Sequence, residues 1–374
     1  MPPSEATAPW RPRLPADFLR TAVPLLAVIV VVSLYTNSRN GAFLTSDNVQ
    51  NILVQSSALG ILAIGQTFLL VGGQLDLSVG SMVSFTGVVG AYQYTRGWNE
   101  WLILVTLLVI GSGVGLLWGV VVTYLRVPPF ILTLGGLSVF SSLALVISDS
   151  RPISVVNAFN SLGFDKWLGL QAPVTLFLLL LLAGGFLLHF TRFGRQVYAL
   201  GSSEQVAFLA GLPTNRIKVA IFVLNGALAG VAGLVQLARL AAGDPTAGSG
   251  LELACIAAVV LGGASLAGGR GTMVGTLIGT VVFGVIDASL VFLNVAASWQ
   301  DTVSGGVLIF AVTATAVSDL RRERRSGRDA SVGSALTRLL LSRSQRPPTT
   351  TTATPGVTRA QPPAPGEFNV TKGP

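Results

Sequence analysis

Residues 51–71 read NILVQSSALGILAIGQTFLLV, twenty-one positions without a charged side chain. A helix rises about 1.5 Å per residue and the bilayer's hydrocarbon core is about 30 Å thick, so this run is long enough to cross it. Similar runs lie on either side: Ala22–Tyr35, Leu77–Tyr94, Trp101–Tyr124, Phe130–Ile147, Val174–Phe190, Ile217–Leu240, Leu251–Gly263, Val274–Leu293 and Thr302–Val317. Together they make ten. Of the 374 residues, 51% are apolar and 11% charged, against about 25% charged in an ordinary soluble domain. That excludes a common soluble enzyme and a disordered chain. The fold class predicted is an all-α polytopic membrane protein of about ten transmembrane helices. Leu251–Gly263 is short for a crossing and is cut by Gly262 and Gly263. It is expected as a broken or re-entrant Gly-rich segment, which a membrane tolerates only where protein or a cavity shields the backbone.

Three regions follow. Residues 1–20 are Pro-rich with Arg11, Arg13 and Arg20, and are expected as a cytoplasmic N-terminal segment. Thr36-Asn37-Ser38-Arg39 is no small-x-small cleavage site, so the first apolar run is read as a retained span rather than a signal peptide. Residues 21–320 form the transmembrane domain. Residues 321–374 are basic, then rich in Pro and Thr, with too little apolar surface to fold alone. The cluster from Arg321 to Arg328 suits either anionic lipid or a solvated stop-transfer flank. The net charge is +8, and it sits mainly where cytoplasmic loops would lie, which fits a membrane face rather than nucleic acid. With the N terminus inside, the inner loops hold Arg126, Arg192, Arg195, Arg216, Lys218 and Arg270, and the outer loops hold Arg39, Arg96, Arg151, Lys166 and Arg239. Both termini are then cytoplasmic.

Chemistry is sparse. One cysteine, Cys255, and one histidine, His189, allow neither an intrachain disulfide nor a His/Cys zinc cluster. No phosphate-binding Gly-x-x-x-x-Gly-Lys-Ser/Thr loop is present, so any use of ATP must come from a partner. No enzyme activity and no cofactor are expected. Gly268-Gly269-Arg270-Gly271 lies between two membrane runs, where glycine permits tight turns and close helix packing. Asp287 stands in the middle of the ninth run, and a carboxyl there faces the bundle or a wet path. Asp76 stands in the junction Gly72-Gly73-Gln74-Leu75-Asp76-Leu77-Ser78. It either caps the third span or, with Ser78, borders a path. Gly72-Gly73 followed by Gly80-Ser81-Met82-Val83 is echoed by Gly262-Gly263 followed by Gly271-Thr272-Met273-Val274, as in transporters built from repeats.

Four motifs in order resemble the permease subunit of bacterial ribose/xylose/arabinose-type ABC importers. They are the Asp76 segment through Ser81, Val127-Pro128-Pro129-Phe130-Ile131-Leu132-Thr133-Leu134-Gly135, Gly194-Arg195-Gln196-Val197-Tyr198-Ala199-Leu200-Gly201, and the glycine-rich stretch from Ile256 to Gly269. The resemblance covers about residues 40–318. Two positions depart: Ser202-Ser203 replaces a usual Gly-Asn, and Asp287 replaces a frequent Asn. The resemblance implies a multi-pass permease of the bacterial cytoplasmic membrane, working as a homodimer. An ATP-binding subunit would pair with it inside and a sugar-binding protein outside. The cargo would be a monosaccharide, a pentose first among them. An ion-coupled secondary transporter is the alternative, kept open by Asp287 and the broken eighth run.

Within that frame Asp76, Ser78 and Asp287 are the path candidates, and Arg39, Arg96, Arg151 and Lys166 the candidates for docking the binding protein. Coupling to the ATPase is assigned to a short helix, Ser203–Ala210. Ser202 with Gln205 reads as its capping box, and Glu204 suits the first turn. Gly211 suits a left-handed stop followed by Pro213. Val206, Leu209 and Ala210 form one apolar face.

Overall fold

The computed structural model describes residues 16–156 and 158–296 and scattered positions between 299 and 313. All belong to one unit, Met1–Ser318. The segment 1–15, half of the run Thr302–Val317 and the tail from Arg321 lie outside the described residues.

Among the described residues, seven helices are long and apolar enough to cross a membrane. They are α1 (Ala16–Arg39), α2 (Ser46–Val71), α4 (Glu100–Tyr124), α5 (Pro129–Ile147), α7 (Ala172–Phe190), α10 (Thr214–Leu240) and α12 (Met273–Phe292). Two shorter helices stand where the third and eighth runs were expected: α3 (Val79–Thr95), of 17 residues, and α11 (Leu251–Leu261), of 11. The chain is therefore an all-α polytopic membrane protein, with α11 the expected interrupted segment. Helix starts follow local chemistry. Thr45, Asn99 and Thr272 accept a bond from an amide in the first turn of α2, α4 and α12, and Pro129 opens α5. Two short antiparallel pairs and the one-turn helix α6 (Asn160–Gly163) occupy the loops at one end. There β1 (Ile153–Ser154) pairs with β4 (Ala242–Gly243), and β2 (Lys166–Trp167) with β3 (Leu170–Gln171).

Helix α2 runs through the centre and is buried nearly all round, whereas α1, α4, α5 and α7 turn apolar side chains outward. Lipid is as apolar as leucine, so close packing rather than hydrophobic burial must join such helices. Glycines provide it. On α4, Gly111, Gly115 and Gly119 recur every fourth residue and meet α10 backbone to backbone. A Cβ on Gly111 would collide with the Gly226 carbonyl, and one on Gly226 with the Gly111 carbonyl. Thr67 of α2 and Thr276 of α12 add a hydroxyl pair at 2.6 Å.

The faint echo in the sequence is a structural one. Gly72 ends α2 and Gly262 ends α11, and each is followed by a left-handed glycine, Gly73 (φ +71°) and Gly263 (φ +91°). The amide bonds match position for position. Gly73 and Gln74 donate to Leu70 and Leu69, while Gly263 and Ala264 donate to Val260 and Val259, the Schellman pattern in both cases. The two junctions meet. The Gly269 amide donates to the Val71 carbonyl at 2.8 Å, and Gly201 is wedged against both.

The packing can be checked with a matched pair. Gly111→Val should force α4 from α10 and cost about 1–3 kcal/mol or more. Gly113→Val, where a Cβ meets nothing within 4 Å, should be near neutral. Thermal unfolding of the detergent-purified protein reads both, and equal melting of the two variants would contradict the glycine interface.

Candidate functional site

The first candidate region is the α2–α3 junction. Asp76 Oδ1 accepts from the Ser78 amide at 2.8 Å and the Ser78 hydroxyl at 2.6 Å, and Oδ2 accepts from Asn225 Nδ2 at 2.9 Å. Ser78 Oγ accepts from the Trp118 indole at 3.0 Å, and the Leu77 amide donates to Thr133 Oγ1 at 3.1 Å. The capping role expected for Asp76 is corrected. Helix α3 begins at Val79 with Ser78 as its N-cap residue, and no side chain caps it. An Asp two residues before that position closes a turn on the amide of residue i+2 and does not reach the helix's own first amides. Asp76 instead binds the junction to α10. Asp76 and Ser78 are 3% and 0% exposed.

The second region is a cavity of about 360 Å³ walled by α2, α10, α12 and the start of α11, within the usual range for small-molecule sites. Gln55 and Ser56 come from α2, Gln236 and Arg239 from α10, Ser249 and Gly250 from the approach to α11, and Asp287 from α12. Asp287 is half-buried there. Arg239 Nε donates to Gln236 Oε1 at 3.3 Å, and Gln236 Nε2 donates to the Ala247 carbonyl at 3.3 Å. Arg239, expected as an outer-loop charge, is therefore corrected: it occupies the last turn of α10, half-buried in the cavity wall. The signal was present in the i, i+3 pair Gln236/Arg239 inside an apolar run.

The third region follows α7. An unpredicted helix, α8 (Arg192–Ser202), is capped by Thr191 and leads into α9 (Glu204–Leu209). Tyr198 of α8 donates its hydroxyl to the Gly271 carbonyl at 2.6 Å. Burial pushes this phenol's pKa up to about 12, which keeps the donor proton in place. The capping box Ser202/Gln205 is corrected. Ser202 ends α8 and bonds back to the Tyr198 carbonyl, while Ser203 caps α9 by accepting from the Val206 amide at 3.3 Å. Because α8 runs on to Ser202, the first residue free to adopt extended cap geometry is Ser203. Gly211 does take the left-handed position, φ +80°, and Leu212 bonds back to Ala207.

Ala207 is buried against the bundle, whereas Val206, Phe208 and Leu209 are 64%, 68% and 77% exposed. Phe208 was missed because the i, i+3, i+4 pattern excludes it. A six-residue helix resting on one alanine bares every other apolar side chain it carries. Glu204 pairs with Lys218 Nζ at 2.6 Å and pins α9 to α10.

Arg39, Arg96, Arg151 and Lys166 are all exposed at the end opposite α8 and α9. Arg39 lies over the Tyr35 ring at 5.6 Å, and Arg96 donates to the Tyr92 hydroxyl at 2.7 Å. Among the described residues no group of three or more His, Cys, Asp or Glu could hold a metal ion.

Known proteins resemble this chain in sequence. The family described as "Branched-chain amino acid transport system / permease component" matches residues 48–312. The chain is 38% identical to the ribose import permease protein RbsC of Escherichia coli K12, over 78% of this chain and 92% of the relative. It is 32% identical to the xylose transport system permease protein XylH of the same organism, over 79% and 91%. It is 35% identical to the L-arabinose ABC transporter permease protein AraH of Azospirillum brasilense, over 83% and 92%. No solved structure matches. These relatives are transport components rather than enzymes, and the chain belongs to the family of membrane permease components that includes the ribose, xylose and L-arabinose permeases.

Proposed function

We propose that this chain forms the translocation path of an ATP-driven importer for a monosaccharide, a pentose first among them. The sugar is handed over by an external binding protein, and ATP is hydrolysed by a separate subunit. The observation that carries this reading is the cavity between α2, α10, α11 and α12. Its amide, hydroxyl, guanidinium and carboxylate groups can exchange hydrogen bonds with sugar hydroxyls. The family description names branched-chain amino acids, but the three named relatives import or transport five-carbon sugars. No observation favours the ion-coupled alternative.

The basic residues support a sidedness. Arg126, Arg192, Arg195, Arg216 and Lys218 belong to the end that carries α8 and α9, which on the positive-inside rule is cytoplasmic. Both termini then lie inside. Helix α9 becomes the contact for the ATP-binding subunit, with Val206, Phe208 and Leu209 entering a groove of that partner. Ser202, Gln205 and Gly211 act through it, Ser202 by ending α8 and Gly211 by ending α9. Arg39, Arg96, Arg151 and Lys166 then dock the binding protein, and two copies of the chain share one complex.

Path and cargo are tested by uptake of labelled D-ribose, D-xylose and L-arabinose in a strain deleted for the transporter. Wild-type permease should restore uptake of at least one. Asp287→Leu should lower that uptake at least about tenfold while the protein still inserts, because an apolar side chain favours insertion of the span. Asp287→Asn should be mild. A fully active leucine variant would remove Asp287 from the path.

The partner surfaces are tested in the assembled complex by sugar-stimulated ATP hydrolysis and by complex mass, which should correspond to two permease copies. Leu209→Asp should leave the permease folded but abolish assembly and stimulation. Neutralising Arg39, Arg96, Arg151 and Lys166 together should weaken stimulation by the binding protein most strongly at low salt. Retained coupling in the first variant, or unchanged stimulation in the second, would contradict the respective assignment.

A further inference from the structure

The glutamine side chain at position 66 is wholly enclosed, and neither its Oε1 nor its Nε2 has a hydrogen-bond partner. Asn225 gives Nδ2 to Asp76, but its Oδ1, also enclosed, has none. Such groups are rare, since an enclosed polar atom left unpaired loses its bonds to water and gains nothing in return. A bilayer offers no compensation. Two of them at one depth call for a physical reason.

Their placement supplies one. Successive helical residues turn by about 100°, so Gln55, Leu59, Leu62 and Gln66 share one stripe of α2. Gly65 packs against Asn225 of α10, and Thr67 bonds to Thr276 of α12. Gln66 therefore lies on the face of α2 between its contacts with α10 and α12, the face that carries Gln55 into the cavity wall. It lies eleven residues beyond Gln55, about 16 Å deeper. On antiparallel α10, Asn225 lies eleven residues from Gln236, again on the same stripe and deeper. The cavity wall, with Gln55 and Gln236, is thus repeated below as Gln66 and Asn225. Helix α11 lines the cavity with its first residues and packs against α2 and α12. Four of the five residues in its middle are small, Ala254, Cys255, Ala257 and Ala258, and it ends in the Gly262-Gly263 break.

We infer that Gln66 and Asn225 form an inner binding station of the conduit, a site for the hydroxyl groups of the permeant, which α11 covers in this conformation. A shift of α11 exposes the three unpaired atoms to a molecule rich in donors and acceptors, and its return expels that molecule. The inference rests on the reading of the chain as a sugar permease. It adds a second site to that reading and makes α11 the moving part.

Two measurements on the full complex test it. Gln66→Leu removes the unpaired atoms at nearly constant volume. A residue that merely filled space would leave uptake unchanged. The station predicts a melting temperature equal to or above wild type, with uptake of the transported pentose reduced at least about tenfold. The chain's single cysteine makes labelling clean. In a Cys255→Ala background, Gln55→Cys should react with a small methanethiosulfonate reagent at all times. Gln66→Cys should react only during ATP-driven turnover, and more slowly with excess sugar. Wild-type uptake by Gln66→Leu, or a Gln66→Cys that stays unreactive while Gln55→Cys reacts and transport proceeds, overturns the station but leaves the permease standing. A wild-type complex that takes up none of D-ribose, D-xylose and L-arabinose overturns both.

Discussion

A hydrogen bond from the Gly269 amide to the Val71 carbonyl joins the two interrupted parts of this bundle. Backbone groups at membrane depth must be paired within the protein. A continuous helix does this by itself, but a helix that stops inside the bundle exposes its last carbonyls. Here α2 and α11 both stop, and each turns on a Gly-Gly pair that satisfies its own end. The remaining carbonyl of Val71 is taken by the second junction. Gly201, the penultimate residue of α8, fits against that bond only because it has no side chain. The helix that leads to α9 is thereby seated on the joint between the two breaks.

That seating connects the ends of the molecule. Below the joint are α8 and α9, with Tyr198 fixed to Gly271 and Glu204 to Lys218. Above it α2, α11 and α12 border the cavity. Gly201 and the 268–271 turn thus place the end of α8 in backbone contact with the ends of α2 and α11. The glycine-lined contact of α4 with α10 is a rigid wall of the bundle, because backbones in direct contact have no side chains to rearrange.

Much of this was legible in the sequence. Long uncharged runs must be helices in lipid, and the glycine pair after Leu261 must interrupt one. The echo between Gly72-Gly73 and Gly262-Gly263 was visible because a Schellman stop needs glycine at the same offset each time. Asp287 stood out by its cost in an apolar run. Other features depend on contacts between distant segments. That Asp76 binds Asn225 rather than capping α3 follows from the approach of α10, which no local pattern encodes. Ser202 and Ser203 are equally good cap residues in isolation, and the length of α8 decided between them. Arg239 reads as a loop charge until α2 and α12 are placed around it. Gln66 looks like an ordinary polar residue on a long helix, and only its enclosure without a partner marks it.

The central claim is that ATP held by a partner, and no ion gradient, drives a sugar through this chain. It is tested most directly in proteoliposomes containing the permease, its ATP-binding subunit and its binding protein, with proton and sodium gradients collapsed by ionophores. Uptake of labelled pentose should continue while ATP is present on the α9 side and stop when it is withheld. Uptake that stops with the ionophores and runs without ATP would contradict the account.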